Sequence, residues 1–512
     1  MTRRPTHSPA PSAAPTGGSG GRLLVGALLL AALAALPSCA VEGVRVESPA
    51  EVPSAFSATG EAPLPEQWWT AFDDATLSGL IEEALAGNFT IRQAWDRLDQ
   101  ARAVAARSGA ALWPALDGMV DASRTAVKTE PAPQINVNEH TLGLAANYEV
   151  DLWGRVRSTR DAARLDVYAT AEDVQSAAIT VAAQIAATWY QLVEARGQLR
   201  LLDEQNRTNE NYLTVMTLRF GQGQVQAADV LQQQELVEQT RGQRVLVTSA
   251  ITVLEHQLAV LLGRAPGGLD ATVPEQLPTV PPLPQTGLPA ALVRRRPDVR
   301  AVEYRVQAAD RRVSAAVADQ FPRLSLTAAT ETSAERVRSL FDNWLATLAA
   351  NVAAPLFDAG LRRAEVKRVR AAVSESLNAY GQAVLTSLQE VENALVQEAR
   401  QAEYVGSLGR QLALSREATA RTRDSYSTTG QNFIRYLTTL LQYQRLERTH
   451  LTAQRDLVLF RIDLYRALAG EWPMEQPSPA TVAGPRRPVP PPAVEARESR
   501  ASAPIPNAKE SE

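Results

Sequence analysis

Residues 141–152 read TLGLAANYEVDL, and their side chains alternate strictly between two sets. A period of two residues places successive side chains on opposite faces of a β-strand. The stretch is also long enough for a tilted strand that crosses a bilayer, which needs about 9–11 residues. It predicts a strand with one mainly apolar face, because Leu142, Leu144, Ala146, Tyr148, Val150 and Leu152 alternate with Thr141, Gly143, Ala145, Asn147, Glu149 and Asp151.

The same alternation returns at residues 344–356 in the second half of the chain. There the apolar positions are Trp344, Ala346, Leu348, Ala350, Val352, Ala354 and Leu356, set against Thr347 and Asn351. Weaker patterns predict two partner strands near 115–128 and 323–332. The sequence therefore predicts four strands of similar length.

Tryptophan residues mark the ends of these predicted strands. Trp113, Trp153 and Trp344 lie where an aromatic girdle would meet the membrane surface. A soluble, half-buried sheet is the alternative interpretation. Four strands would form only a small soluble sheet for a chain of this length. They are consistent with the contribution of one subunit to an oligomeric β-barrel.

Two long stretches without proline follow the strands. One runs from Gly154 to about Phe220, and the other runs from Gly360 to about Ser425. At a rise of 1.5 Å per residue, each stretch predicts a helical rod of roughly 100 Å. In the first rod, apolar residues step by three and four positions and form a heptad seam that must pack against other helices. The seam comprises Ala178, Val181, Ile185, Thr188, Leu192, Ala195, Leu199 and Leu202.

Each rod is predicted to turn and return as a second helix. The turns lie near 221–223 and 428–430, where glycine permits a tight reversal. The returning helices end at Gly263 and Gly470, both suitable as C-terminal helix caps. Each half of the chain therefore contains one long helical hairpin.

The two halves resemble each other, which indicates an internal duplication. Arg92, Arg97, Ala101 and Trp113-Pro114 correspond, 208 positions later, to Arg300, Arg305, Ala309 and Phe321-Pro322. Leu152-Trp153 corresponds, 204 positions later, to Leu356-Phe357. Phe220, Leu231, Leu258 and Leu262 correspond, 206 positions later, to Tyr426, Leu437, Leu464 and Leu468. We therefore predict repeats at 66–263 and 291–472, joined by a proline-rich connector at 264–290.

The N-terminal region contains a short apolar run that ends at the only cysteine of the chain, Cys39. Residues 22–40 read RLLVGALLLAALAALPSCA, and the apolar part is shorter than the roughly 20 residues of a membrane-spanning helix. The run resembles a lipoprotein signal, with cleavage after Ser38 and diacylglyceryl transfer to the thiol of Cys39. Residues 1–38 are then a signal peptide and 39–65 a lipid-anchored linker. A plain secretory signal that happens to contain a cysteine is the alternative.

The amino-acid composition and the absence of known motifs argue against several classes of protein. A net charge of −4 gives no support for nucleic-acid binding, and a single cysteine allows no disulfide framework. The four histidines are scattered without metal-ligand spacing, and no nucleotide-binding or hydrolase motif is present. We therefore expect no enzyme, no cofactor and no metal site. Residues 473–512 are rich in proline, alanine, glutamate and arginine, which predicts a disordered tail.

Membrane crossing by a helix is not expected after the signal, because no run of 18 apolar residues remains. Any crossing must then use strands in a closed barrel, since a bilayer leaves no water to satisfy backbone groups.

Five stretches together resemble a known family, the TolC-like outer membrane factors, in particular the NodT-like branch of efflux lipoproteins. They read WWTAFDDATLSGLIEEALAGNFTIRQAWDRLDQA from Trp68, YEVDLWGRVR from Tyr148, GLPAALVRRRPDVRAVEYRVQAADRRVSAAVADQFPRLSL from Gly287, PLFDAG from Pro355 and QRLERTHLTAQRDLVLFRIDLYRALAGEW from Gln444. The resemblance covers about residues 66–472. It implies an α+β fold, mostly α, in which three protomers with four strands each form a 12-stranded β-barrel that continues as an α-barrel.

The resemblance also implies a function. The chain would be the outer-membrane exit duct of a tripartite efflux system, a homotrimer in contact with outer membrane lipid, a periplasmic adaptor protein and an inner-membrane RND-type pump. It would conduct small molecules passively and extend into the periplasm of a Gram-negative cell. Two alternatives remain open: an outer-membrane duct for type I protein secretion, and a helical periplasmic lipoprotein scaffold that forms no channel.

The tips of the two helical hairpins are the candidate site. By resemblance they would contact the adaptor and close the resting pore, although solvated surface charges are the alternative for any single residue. The candidates are Arg219, Phe220, Gly221, Gly223 and Asp229 in the first tip, and Arg423, Asp424, Tyr426, Gly430, Phe433, Ile434 and Leu437 in the second. Many members of the family have an aspartate at the position of Thr438, and the equivalent residue in the first repeat is Gln232. Because neither residue is acidic, the resemblance does not imply a ring of acidic side chains at this level of the pore.

We predict that Cys39→Ala abolishes lipid attachment, because no other residue supplies the thiol at the new N-terminus. Incorporation of labelled palmitate into the protein measures the effect. Ser38→Ala is the matched control, since it keeps a small residue before the cysteine and should remain labelled. Label on the Cys39→Ala protein would contradict the lipoprotein signal, and recovery of that variant mainly from the soluble periplasm would favour the scaffold alternative.

Overall fold

The computed structural model describes residues 48–131, 133–267, 271–429 and 433–476. Both halves have the same order of elements, as the duplication predicts. The first half contains α1 (Ala75–Gly87), α2 (Phe89–Ala110), β1 (Ala115–Val127), β2 (Ile135–Val150), α3 (Arg155–Gly221) and α4 (Ala227–Leu261). The second contains α5 (Pro289–Arg295), α6 (Pro297–Ala318), β3 (Arg323–Ala334), β4 (Trp344–Ala353), α7 (Leu361–Thr429) and α8 (Phe433–Leu468).

The four strands form one antiparallel sheet in the order β1-β2-β3-β4, so the sheet joins the two halves. All four strands that the alternation predicts are confirmed. The last one ends at Ala353 rather than at Leu356, because Pro355 has no N–H to continue the ladder. Among the described residues, β1 and β4 each pair with one strand only, which leaves the outer edge of each without partners.

The register gives the sheet two chemically different faces. Val120 lies opposite Leu142, Leu144 opposite Thr330, and Ala328 opposite Leu348, so even-numbered residues share one face on all four strands. That face is mainly apolar and carries Leu116, Val120, Leu142, Leu144, Leu324, Leu326, Trp344, Leu348 and Val352. The odd-numbered face is largely polar and carries Asp117, Asp121, Thr141, Asn147, Glu149, Ser325, Thr327, Glu331, Thr347 and Asn351.

The two predicted rods are confirmed as α3, with 67 residues, and α7, with 69 residues. Each follows a glycine at positive φ, Gly154 at 75° and Gly360 at 88°, where the chain turns out of the sheet. An aspartate holds the start of each helix: Asp151 accepts the N–H groups of Val156 and Arg157, and Asp358 has the same role for α7. The predicted heptad seam of α3 is buried, except that Leu199 is half-buried.

Helix α4 differs from the sequence expectation. By length and composition alone it could cross a membrane, although no such helix was predicted. Its apolar stretch was not recognised as continuous because Glu255 and His256 interrupt it. Much of this stretch is exposed in the single chain, including Val245, Leu246, Val253 and Val260.

An aromatic cluster connects the segment just before α1 to the C-terminal end of α8 and the residues that follow it. Trp68 stacks on Tyr465 with ring centroids 5.9 Å apart, and Trp69 meets Trp472 edge to face at 5.3 Å. Trp189 of α3 donates its indole N–H to Asp74 Oδ2 over 2.8 Å. These contacts join α3 and α8 about halfway along α3.

The connector and the N-terminal linker pack together beside the long helices. Gly60 donates its N–H to the carbonyl of Pro284, and Thr286 donates its hydroxyl to the carbonyl of Ala58. The predicted signal peptide at 1–38, which includes Ser38, and the predicted lipid site Cys39 lie outside the described residues, as do most of the predicted tail and part of the predicted linker. The predicted domain boundaries stay a prediction.

An ion pair buried under the connector ties α7 to α8. Arg461 donates to Glu398 Oε2 over 2.8 Å and to the carbonyl of Pro282 over 2.9 Å. Both charged residues are buried, so the pair compensates two desolvated charges.

Glu398→Gln should lower the free energy of unfolding by about 3 kcal/mol, because it leaves the Arg461 cation buried without its anion. Denaturant unfolding of the detergent-purified protein, followed by far-UV circular dichroism, measures the change. Glu403→Gln in the same helix is the matched control. It breaks the exposed pair with Arg400 and should cost less than about 0.5 kcal/mol. Equal effects of the two variants would contradict the prediction.

Candidate functional site at the hairpin tips

The first tip is a short turn between α3 and α4. Gly221 is the last residue of α3, and Gly223 has a φ of 72°, a conformation that favours glycine. The carbonyl of Arg219 accepts the N–H groups of Gln222 and Gln224 over 3.1 and 2.9 Å, which closes the end of the helix. Asp229 accepts the N–H of Gln226 over 3.1 Å in a capping box that starts α4.

An apolar cluster, hereafter the tip cluster, joins the two hairpins. It consists of Met216, Leu236, Tyr426, Phe433, Tyr436, Leu437 and Leu440. Tyr426 lies at its centre and is 4% exposed. Its ring is parallel to that of Tyr436 at 6.1 Å and lies 5.4 Å from that of Phe433. Its hydroxyl donates to Met216 Sδ over 3.3 Å, so α7 is bonded to α3 here.

The structure brings together only some of the predicted tip residues. Arg219 of the first tip lies over the ring of Tyr426 of the second, with the guanidinium carbon 4.8 Å from the ring centroid. Such cation–π contacts contribute about 0.5–1 kcal/mol at exposed sites. Arg423 and Asp424 are exposed and contact each other over 3.4 Å.

The remaining predicted tip residues differ in their exposure to solvent. Phe220 is 47% exposed and Ile434 is 64% exposed, whereas Leu437 is buried in the tip cluster. Gly430 lies outside the described residues. Thr438 and Gln232 are both exposed, and the Thr438 hydroxyl donates to the carbonyl of Ile434. The roles given to these residues in gating and adaptor contact stay a prediction.

Sequence analysis included Phe433 in the second tip but missed Met216, Tyr436 and Leu440 of the tip cluster. Their apolar spacing in α3 and α8 was available, but nothing local indicates that the ends of α3 and α7 meet. Burial and a hydrogen bond with Tyr212 raise the pKa of Tyr436, so its hydroxyl stays protonated at neutral pH.

A buried polar layer lies next to the tip cluster and was also missed. Asn209 is its centre: its side-chain amide donates to Thr240 over 3.2 Å, and its carboxamide oxygen accepts from Gln444 over 3.3 Å. Gln233 donates to the backbone carbonyl of Asn209 over 2.8 Å. The layer therefore bonds α3 to both α4 and α8.

The predicted girdle tryptophans lie at both ends of the sheet. Trp113 and Trp153 lie at the end from which the long helices start, and Trp344 lies at the opposite end. Trp113 and Trp344 are 76% and 74% exposed. Trp153 is half-buried, because its ring stacks on Phe321 at 4.8 Å and its indole N–H donates to the carbonyl of Pro322 over 2.7 Å. Contact with membrane at these positions stays a prediction.

Comparison with known proteins gives one family. The family model described as "Outer membrane efflux protein" matches residues 80–264 and 288–470. The chain is 30% identical over 465 residues to the pyoverdine export outer membrane protein OpmQ of Pseudomonas aeruginosa, covering 87% of this chain and 96% of that protein. It is 28% identical over 426 residues to the solvent efflux pump outer membrane protein SrpC of Pseudomonas putida, covering 79% and 87%.

A solved structure shares the fold. The outer-membrane channel OprN superimposes with a TM-score of 0.78 at 26% identity, covering 84% of this chain and 99% of that chain. The similarity thus extends over both helical hairpins and the sheet.

Tyr426→Ala should open the tips locally, because it empties the centre of the tip cluster. A cost of about 3 kcal/mol for a large-to-small core substitution would reduce amide protection about a hundredfold in residues 213–221 and 433–440. Hydrogen–deuterium exchange with mass spectrometry measures this protection. Ile434→Ala, at an exposed position in the same tip, is the control and should change little. Unchanged protection in Tyr426→Ala would show that the cluster does not hold the hairpins together.

Proposed function

The chain belongs to the outer membrane efflux protein family, and from this premise we propose that three copies form the exit duct of a tripartite efflux system. In this assembly the sheets close into a β-barrel and the long helices continue it into the periplasm. The duct conducts small molecules passively, because an inner-membrane pump supplies the energy.

The sheet is the observation that carries this proposal. Its even-numbered face is mainly apolar and exposed, as a lipid-facing surface must be, and its odd-numbered face is largely polar, as a water-filled lumen requires. The free edges of β1 and β4 cannot remain unpaired in lipid. Pairing β4 of one copy with β1 of the next satisfies both edges without a further protein.

The number of copies follows from the width of the barrel. Two copies would give eight strands, whose interior is just wide enough for side chains to fill it. Three copies give twelve strands and leave room for water along the polar face. The trimer also agrees with the shared fold of OprN, which is an outer-membrane channel.

The exposed apolar stretch of α4 supports assembly as well. Val245, Leu246, Val253 and Val260 are exposed on α4 in the single chain. Large apolar surfaces on soluble parts of a protein are usually covered by a partner. We assign this surface to contacts between copies in the periplasmic part of the trimer.

The names of the relatives support the proposed cargo and partners. OpmQ is named for pyoverdine export and SrpC for solvent efflux, both small molecules. We therefore infer small-molecule cargo, with a periplasmic adaptor at the hairpin tips and an inner-membrane pump beyond it. Lipid attached to Cys39 adds a second anchor in the outer membrane. The repeats at 66–263 and 291–472 each contribute one strand pair and one helical hairpin.

The native mass of protein extracted from outer membranes in mild detergent should equal three chains after correction for detergent. We expect this mass because the free edges of β1 and β4 need strand partners from other copies, and because the polar face of the sheet needs a water-filled lumen. Light scattering coupled to size exclusion measures this mass. A monomer in detergent would contradict the shared barrel.

Cargo class is tested separately from assembly. Deleting the gene should increase sensitivity to solvents and other small toxic compounds, and plasmid expression should restore resistance. Unchanged sensitivity together with loss of a secreted protein from the medium would favour the type I secretion duct instead.

A further inference from the structure

The two halves of the sheet meet through an aromatic contact. Trp153, just after β2, stacks on Phe321, just before β3, with ring centroids 4.8 Å apart and planes 26° from parallel. The indole N–H of Trp153 donates to the carbonyl of Pro322 over 2.7 Å. This contact therefore lies at the helix-proximal end of the β2–β3 ladder.

The repeat supplies the same pair of positions a second time. Phe357 follows β4 as Trp153 follows β2, and Trp113-Pro114 precedes β1 as Phe321-Pro322 precedes β3. These second positions lie at the two free edges of the sheet, so they cannot meet within one chain. They are strongly exposed: Phe357 is 90% and Trp113 is 76% accessible.

We propose that Phe357 of one copy stacks on Trp113 of the neighbouring copy, and that this contact locks adjacent protomers together where the sheet meets the helices. The proposal rests on the trimer of the proposed function and assigns the residues that join its copies. The partner is a second copy of this chain, because only the repeat supplies the matching half of the pair at each edge.

The strand register gives an independent check. Ala146 lies opposite Ala328 in the β2–β3 ladder. The repeat correspondence moves these positions to Ala350 of β4 and Val120 of the neighbouring β1. Both are even-numbered, so the apolar face continues across the junction without a break. A register shifted by one residue would turn one strand over and place its polar side chains among the apolar ones.

The contact between copies lacks one element of the internal contact. The side chain of Phe357 has no N–H donor, so the indole hydrogen bond from Trp153 to Pro322 has no counterpart toward Pro114. At this end of the sheet the junction between copies therefore depends on ring packing and strand pairing. Phe357→Trp supplies the missing donor and should raise the temperature at which the trimer dissociates in detergent.

Cross-linking between two single variants tests the contact. Trp113→Cys and Phe357→Cys chains, carrying different epitope tags, are co-expressed and treated with a short bis-maleimide after purification from outer membranes. Cys39 is the only native cysteine, and its sulfur carries the diacylglyceryl group if the lipoprotein signal is used, so it is then not free to react. We expect a cross-linked species of two chains that carries both tags.

Two controls calibrate the distance. Trp153→Cys combined with Phe321→Cys in one chain places two thiols at the internal contact, so it should cross-link without a second chain. Trp113→Cys co-expressed with Trp344→Cys uses an equally exposed position at the other end of β4, roughly 30 Å away along the strand, and should not cross-link.

The outcomes separate the contact from the assembly. A trimeric native mass with no mixed-tag species, while the internal control reacts, would overturn the contact and leave the trimer standing. A monomeric native mass would overturn the proposed function and the contact together. A mixed-tag species as strong with Trp344→Cys as with Phe357→Cys would also overturn the contact, since it would reflect collision rather than a defined neighbour.

Discussion

The backbone hydrogen bonds that β1 and β4 leave unmade are the constraint on which the rest of the structure depends. In a bilayer each unpaired N–H or C=O costs several kcal/mol, and a strand edge presents a whole row of them. Four strands cannot close a barrel on themselves, so the proposed barrel needs strands from further copies of the chain. The glycines at 154 and 360 then turn each strand pair directly into a long helix, so closing the sheet also arranges the helices around the same axis.

The sequence predicted the helices and strands better than it predicted which of them contact each other. Strand alternation around Leu144 and Leu348 identified the sheet because a period of two residues is a local signal. The absence of proline from 155 to 221 identified the rod for the same reason. The end of β4 was placed too late, since alternation continues through Leu356 even though Pro355 stops the ladder.

The candidate site was predicted less completely. Tyr426 and Leu437 were selected as tip residues for adaptor contact or pore closure, and the structure places both inside an apolar cluster. Arg219 was selected in the first tip, and the sequence did not indicate that it lies over the ring of Tyr426 in the second. These contacts join residues about 200 positions apart, and no periodicity within one helix indicates which partner lies beside it. The layer around Asn209 was missed for the same reason, since single polar residues in a long helix resemble solvated ones.

The β2–β3 ladder has a consequence for the order in which the protein forms. It pairs His140 with Ala334 and Val150 with Leu324, residues 194 and 174 positions apart, so the sheet can be completed only after the chain has been made through β4, which ends at Ala353. The helical hairpins are built from contacts closer in sequence, and local contacts form faster than distant ones. We therefore expect the helical hairpins to form before the sheet is complete, even though the second hairpin follows all four strands in the sequence.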